Sequence, residues 1–240
     1  MKEERYFYVP NAGQTNELPE TEAQHATRVL RLKEGDRMWI VDGQGTLSEA
    51  EVTLASNKHC LYNILSSQTI EKTWSGRIHL AIAPTKMIDR MEWMVEKATE
   101  VGFDEISFLD CQFSERHTLR IDRIEKIVVS AMKQSHKAWM PRINTLTDFQ
   151  SFVQAPRSGR KFIAHCYNEH ERTDFFDAVY GAASTDDITI LVGPEGDFSV
   201  KEVEQALSAG FTPITLGESR LRTETAGLSA VMMAQLALRR

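Results

Sequence analysis

The sequence predicts an α/β protein in two parts, a small β-rich domain over residues 1–72 and a parallel-sheet domain over residues 73–240. Three observations carry that reading. Short apolar runs separated by Gly- and Asp-containing turns crowd the region before residue 70, a pattern of closely spaced strands. From residue 78 onward strand-like runs alternate with helical ones, which implies parallel strands joined by crossover helices. Finally, Ile188-Thr189-Ile190-Leu191-Val192 is almost wholly apolar, as a central parallel strand covered on both faces must be.

The elements follow in order. Residues 6–9 read as a short aromatic strand stopped by Pro10. A short helix over residues 20–30 is closed by the turn Lys33-Glu34-Gly35-Asp36. Residues 38–41 and 49–54 flank Asp42-Gly43-Gln44-Gly45, a hairpin signal with a loop longer than the tightest class. A further run at 60–65 completes a set large enough for a small barrel of the kind that binds RNA. The polar stretch 68–76 marks the domain boundary. Beyond it, residues 78–83 form a strand stopped by Pro84. Ile88, Met91, Met94, Val95, Ala98 and Val101 recur at steps of three and four, predicting a helix that Gly102 ends. A strand at 106–109 precedes a helix with Ile121, Ile124, Ile127, Val128 and Ala131 on one face, so its charged residues are expected to point outward. The methionines of both helices read as core filler. Strands are expected at 162–166, 188–192 and 213–216. Ser199 and Glu202 form a capping box at the start of a helix that Gly210 stops, and a last helix covers residues 224–238.

Composition excludes several classes. The apolar share of 42% and charged share of 26% are ordinary for a folded soluble protein, and no apolar run approaches a membrane span. The opening MKEERYFYVP lacks the apolar core of a secretory signal, so a cytoplasmic location and no membrane partner are expected. Cys60, Cys111 and Cys166 form no C-x-x-C pair, which argues against a disulfide framework or a zinc cluster. Cys166 beside His165 and near His170 raises a metal site, but a buried thiol next to ordinary histidines accounts for it; no metal is expected. A net charge of −6 excludes a uniformly basic nucleic-acid binder. Locally the balance differs. From Glu115 to Arg142 seven basic residues, Arg116, Lys133 and Lys137 among them, face three acidic ones, either a phosphate-facing stripe or a solvated helix face.

Two segments direct the functional reading. Gly193-Pro194-Glu195-Gly196-Asp197 follows the central strand and precedes the capped helix, the place where open parallel sheets bind ligands. It has neither the Gly-Lys-Ser/Thr of a phosphate loop nor a G-x-G-x-x-G pattern. The second, Leu216-Gly217-Glu218-Ser219-Arg220-Leu221-Arg222-Thr223-Glu224-Thr225-Ala226, joins the last strand to the last helix. Its two arginines, its glutamates and its threonines suit a polar ligand, or else a helix cap at Thr223 or Thr225 with solvated charges.

Together these two segments closely resemble the signature of the RsmE family, SPOUT-class methyltransferases that modify N3 of a uridine in 16S ribosomal RNA. The resemblance extends to Arg5, to Val29-Leu30-Arg31-Leu32-Lys33-Glu34-Gly35-Asp36, to Lys97 and Glu100, and to Gln134-Ser135 before Pro141, and so covers nearly the whole chain. Asp197 stands where the family usually has a second glycine, and Ser219 where it has an arginine that Arg220 then replaces. His136 and Lys137 occupy the region where the family often has an arginine after Gln134-Ser135.

The resemblance implies a parallel SPOUT sheet with a C-terminal trefoil knot near residues 188–238, preceded by a PUA-like barrel. It implies S-adenosyl-L-methionine as cofactor, held by loops after the last three predicted strands: His165, Val192, Gly193, Glu195, Gly196, Leu216, Gly217, Leu221, Arg222, Thr223, Thr225 and Ala226. Arg222, with Arg220 second, would stabilise charge on the uracil carbonyls, and Glu224 would act as base or hold Arg222. Arg5, Arg28, Arg31 and Lys33, with Arg116, Lys133 and Lys137, would contact RNA. The partners implied are 16S ribosomal RNA of the small subunit's decoding region, within the assembled subunit, and a second copy in a homodimer. The competing reading is a non-catalytic RNA-binding or ribosome assembly factor that keeps the fold.

Overall fold

The computed structural model describes residues 5–180 and 187–239. The chain divides into two compact units, Met1–Lys72 with Val129–Met140, and Thr73–Val128 with Pro141–Arg240.

In the first unit β1 (Tyr6–Tyr8), β2 (Arg37–Val41), β3 (Thr46–Ala55) and β4 (Cys60–Thr69) lie side by side in chain order. β1 runs parallel to β2, and the remaining neighbours are antiparallel. Helix α1 (Glu20–Gln24) continues as a wider π-helical turn over His25–Val29. Alternation decides which residues form the core. Along β3, Ala50 and Val52 are buried with Phe7, Met38, Ile40, Tyr62 and the helical Ala23 and Ala26. The intervening Glu49 and Glu51 pair with Arg37 on the next strand. β4 continues to Thr69, past the expected end at residue 65. Its polar, exposed second half is held by backbone pairing to β3 as far as Thr46, so no apolar pattern announces it.

The second unit contains β5 (Arg77–Ile82), α2 (Ile88–Val101), β6 (Glu105–Asp110), the first part of α3 (Ile121–Gln134), β7 (Arg142–Asp148), α4 (Phe149–Gln154) and β8 (Arg160–Ala164). β9 (Thr173–Asp174), α5 (Phe175–Val179), β10 (Asp187–Val192), α6 (Val200–Ser208), β11 (Thr212–Thr215) and α7 (Thr223–Ala237) complete it. The described strands form one sheet in the order β7-β6-β5-β10-β8-β11-β9, with every neighbouring pair parallel. The parallel α/β architecture behind a small β-rich unit is the one the sequence predicts. β7, α4, β9 and α5 were not anticipated, and β8 ends at Ala164, not Cys166, because His165 already opens the following loop.

Strand β5 shows how the sheet is covered. Ala81 and Ala83 face a core with Phe149 and Phe152 of α4 and Val203 and Ala206 of α6. Leu80 and Ile82 point the other way, toward α7, where a Cβ at Gly227 would lie 2.6 Å from Ile82. Only glycine lets α7 approach the sheet that closely. α7 also packs on α2 and α5. β10, the apolar run, is buried from Ile188 to Val192.

The capping box is present: the Ser199 side chain accepts from the Glu202 amide, while Glu202 Oε2 accepts from Ser199 N at 2.7 Å. Glu202 also accepts the Gln112 amide on Oε1 at 2.8 Å, which ties α6 to the loop after β6. Replacing it strips partners from the buried Ser199 amide and the partly buried Gln112 amide. Glu202→Ala is therefore expected to destabilise the protein by about 3 kcal/mol in urea denaturation; a loss below about 1 kcal/mol would show that water replaces the carboxylate at both.

Candidate active site

Three loops leave the carboxyl ends of adjacent parallel strands: residues 165–172 after β8, 193–199 after β10 and 216–222 after β11. They wall a cavity of about 820 Å³, within the range of a cofactor-sized site. The sequence places apolar strands in the sheet and ends each with a residue that cannot continue it. Pro194 ends β10's run, Gly217 adopts φ +99° after β11, and a Thr215 hydroxyl tucked against Gly217 shapes that turn.

The loops are tied to one another. Asp197 has φ +65°, a left-handed conformation that glycine adopts freely and other residues at a cost of about 1 kcal/mol. Its carboxylate offsets that cost: Oδ2 accepts the Cys166 amide and Oδ1 the Phe198 amide, both at 2.8 Å. The Tyr167 hydroxyl adds a second tie by donating to Phe198 O at 2.7 Å. Glu195 reaches the other way and accepts the Lys86 amide at 2.9 Å. Arg116 donates to the Thr85 and Lys86 carbonyls, which fixes the loop between β5 and α2.

Two residues that line this cavity each carry a buried polar atom with no hydrogen-bond partner among the described residues. His165 is 4% exposed; its Nδ1 accepts the Tyr167 amide, and its Nε2 has no hydrogen bond. Burial lowers its pKa, with Asp197 pulling weakly the other way, so the ring is neutral and Nε2 carries the unpaired proton. Glu224 is 7% exposed, and its Oε2 is likewise unpaired. Among the described residues its one ion-pair partner is Arg90, whose Nη1 lies 3.6 Å from Oε1. Orphaned groups of this kind point to a bound ligand. Cys166 is exposed, not the buried thiol the sequence suggests, because it opens the loop after β8; partial desolvation first and then Asp197 push its pKa up, so it stays neutral and is not a nucleophile.

The predicted residues fall into place unevenly. His165, Val192, Gly193, Glu195, Leu216, Gly217, Arg220, Leu221, Arg222, Thr223, Glu224 and Ala226 all line the cavity. Gly196 does not: it lies against Phe113, where a Cβ would sit 3.1 Å from that side chain. Thr225 is exposed outside the lining. Arg222 is the N-cap of α7 but makes no side-chain capping bond, so neither threonine caps the helix. Arg220 and Arg222 are exposed and have no ion-pair partner among the described residues. Arg90, Arg172 and Asp197 also line the cavity, and no sequence signal marked the first two.

The predicted RNA contacts divide as well. Arg28, Arg31 and Lys33 are exposed on the first unit, Arg31 with φ +54°. Arg5 lies 3.7 Å from Asp36, and Arg116 is spent on the backbone carbonyls named above. Lys133 corrects the expectation that the charges of α3 point outward. Its Nζ lies 2.6 Å from Glu22 in a largely buried pair, with side chains 19% and 11% exposed. Lys137 is half-buried, and burial lowers its pKa. Among the described residues no cluster of three His, Cys, Asp or Glu residues is placed to hold a metal, and no helix is long and apolar enough to cross a membrane.

A family model described as an RNA methyltransferase domain matches residues 72–235, and an RNA methyltransferase PUA domain matches residues 18–65. The chain belongs to the RNA methyltransferase family. Within that family, ribosomal RNA small subunit methyltransferase E of Rickettsia conorii is 29% identical over 87% of this chain and 84% of its own length. The crystal structure of a probable rRNA-methyltransferase from Porphyromonas gingivalis is 42% identical, covers 98% of both chains and superposes with a TM-score of 0.90. A Neisseria gonorrhoeae ribosomal RNA small subunit methyltransferase E, solved bound to S-adenosyl methionine, is 27% identical over 98% of both chains with a TM-score of 0.84. The resemblance to the RsmE family carried by the two C-terminal motifs is borne out by these relatives.

The double tie through Asp197 gives a direct test. Asp197→Gly keeps the left-handed turn but loses both hydrogen bonds, so exchange of the Cys166 amide should quicken about tenfold while global stability shifts by under about 1 kcal/mol. Unchanged exchange would show that Tyr167 alone holds the loops together.

Proposed function

We propose that this member of the RNA methyltransferase family transfers a methyl group from S-adenosyl-L-methionine to N3 of a uridine in the decoding region of 16S ribosomal RNA. The observation that carries the reading is the cavity at the carboxyl ends of β8, β10 and β11, lined by His165, Arg90, Arg222 and Glu224. The Neisseria gonorrhoeae relative that holds this cofactor supports it, and the residues present fit. His165, Val192, Gly193, Leu216, Gly217, Leu221, Thr223 and Ala226 give a mostly apolar wall with an unpaired ring N–H, suited to an adenosine and an amino-acid tail. Bound there, the cofactor supplies a methyl on a positively charged sulfur, an electrophile that needs no metal.

The chain's own groups do the rest. The uracil N3–H must lose its proton, and Glu224, whose side chain lines the cavity, is the carboxylate that accepts it. Arg222, charged and without an internal partner, stabilises the negative charge that develops on the flanking carbonyl oxygens, with Arg220 beside it. The Asp197 and Tyr167 ties keep the loops preorganised. Because N3 is paired in a duplex, the target uridine is unpaired or flipped out. Arg28, Arg31 and Lys33 of the first unit supply phosphate contacts that position the RNA. The enzyme works in the cytoplasm, as a homodimer, on the assembled small subunit.

The test uses small ribosomal subunits from a strain lacking this protein, labelled S-adenosylmethionine, and mass spectrometry of the nucleosides. 3-Methyluridine is expected, made faster on subunits than on deproteinised RNA. Arg222→Ala should lower kcat by about a hundredfold. Methylation of another atom would overturn the N3 assignment, and no transfer together with no cofactor binding would favour an RNA-binding assembly factor.

A further inference from the structure

We infer that Arg90 and Glu224 together form the subsite that reads the imide edge of the target uracil; this rests on the methyltransferase reading of the same cavity. Arg90 lies in the first turn of α2 and Glu224 in the first turn of α7, and these two helices pack against each other. Both side chains line the cavity. Their charges stand 3.6 Å apart at the nearest atoms, too far for a hydrogen bond. Glu224 Oε1 therefore receives no hydrogen bond from Arg90, while Arg90 remains 44% exposed with donors to spare.

A carboxylate paired this loosely is poorly served as a structural ion pair. A buried charge is retained when hydrogen bonds satisfy its lone pairs, and Arg90 supplies none to Oε1 at this distance. What the pair presents to the cavity is an acceptor next to a cationic donor. A uracil edge presents N3–H next to a carbonyl oxygen, the complementary order. Glu224 Oε1, the oxygen nearest Arg90, accepts N3–H, and the Arg90 guanidinium donates to the adjacent carbonyl. Cytosine offers a bare N3 lone pair at the same position, which would face the carboxylate acceptor to acceptor. Discrimination then comes from an unpaired buried group in the wrong complex, the strongest kind of selection a site can make.

Arg90 is also held where it can do this. The loop just before α2 is fixed by Arg116 on the Thr85 and Lys86 carbonyls and by Glu195 on the Lys86 amide. The two helix N-termini add partial positive charge near the place where the uracil becomes an anion. Arg90 is thus a substrate-reading residue, distinct from the residues that wall the cofactor.

The experiment compares wild type, Arg90→Ala and Arg90→Lys. Calorimetry measures S-adenosylmethionine affinity, and methyl transfer to unmodified small subunits gives kcat/KM. For Arg90→Ala, cofactor affinity within about twofold of wild type is expected, together with a fall in kcat/KM of about thirtyfold, partly recovered by lysine. Unchanged kcat/KM would overturn the subsite. So would a parallel loss of cofactor affinity, because the pair would then belong to the cofactor. Absence of transfer by the wild type would instead remove the methyltransferase reading on which the subsite depends.

Discussion

The placement of β10 between β5 and β8 is the constraint on which the cavity depends. Ile188 to Val192 pair with Ile78 to Ile82 on one side and with Arg160 to Ala164 on the other. Both faces of β10 are covered, one by Phe149, Phe198 and Val203, the other by α7. Because all the pairings are parallel, the loops after β8, β10 and β11 emerge at one edge and have no choice but to meet. Chemistry then follows from what those loops carry. A one-residue slip of β10 would turn its buried side chains to the opposite face and move residues 193–197 away from His165.

Within that frame, strain and hydrogen bonding are balanced at Asp197. A glycine there would turn without cost but leave two amides unpaired; the aspartate accepts a left-handed backbone and satisfies both. The unpaired atoms of the cavity carry the opposite message. His165 Nε2 and Glu224 Oε2 are buried without partners, a cost that folding alone gives no reason to keep.

Much of this was legible in the sequence, and the parts that were not have physical reasons. β5, α2, β6, α3, β10, α6 and α7 announce themselves because their buried faces impose a period or an unbroken apolar run. β7 does not: Arg142-Ile143-Asn144-Thr145-Leu146-Thr147-Asp148 is an edge strand whose side chains are at most half-buried. β9 has two residues and α5 five, too few for any period to show. Most of the candidate site was readable because a glycine and charged residues at strand ends break the apolar pattern, so Gly193, packed close on Phe198, and the exposed Arg222 stand out. Gly196 and Thr225 were included for their place in a motif, yet one packs on Phe113 and the other faces out. Arg90 was invisible, since a charged residue on an amphipathic helix reads as a solvated one until the fold brings Glu224 beside it. Lys133 misled for the same reason in reverse, because only the fold reveals Glu22.

The most direct test of the account is a crystal structure of this protein grown with S-adenosylmethionine. The cofactor is expected in the cavity between residues 165–172, 193–199 and 216–222, with a hydrogen-bond acceptor at His165 Nε2 and the methyl group open toward Glu224 and Arg222. Density for the cofactor elsewhere on the sheet, or none at concentrations far above those that saturate its relatives, would contradict it.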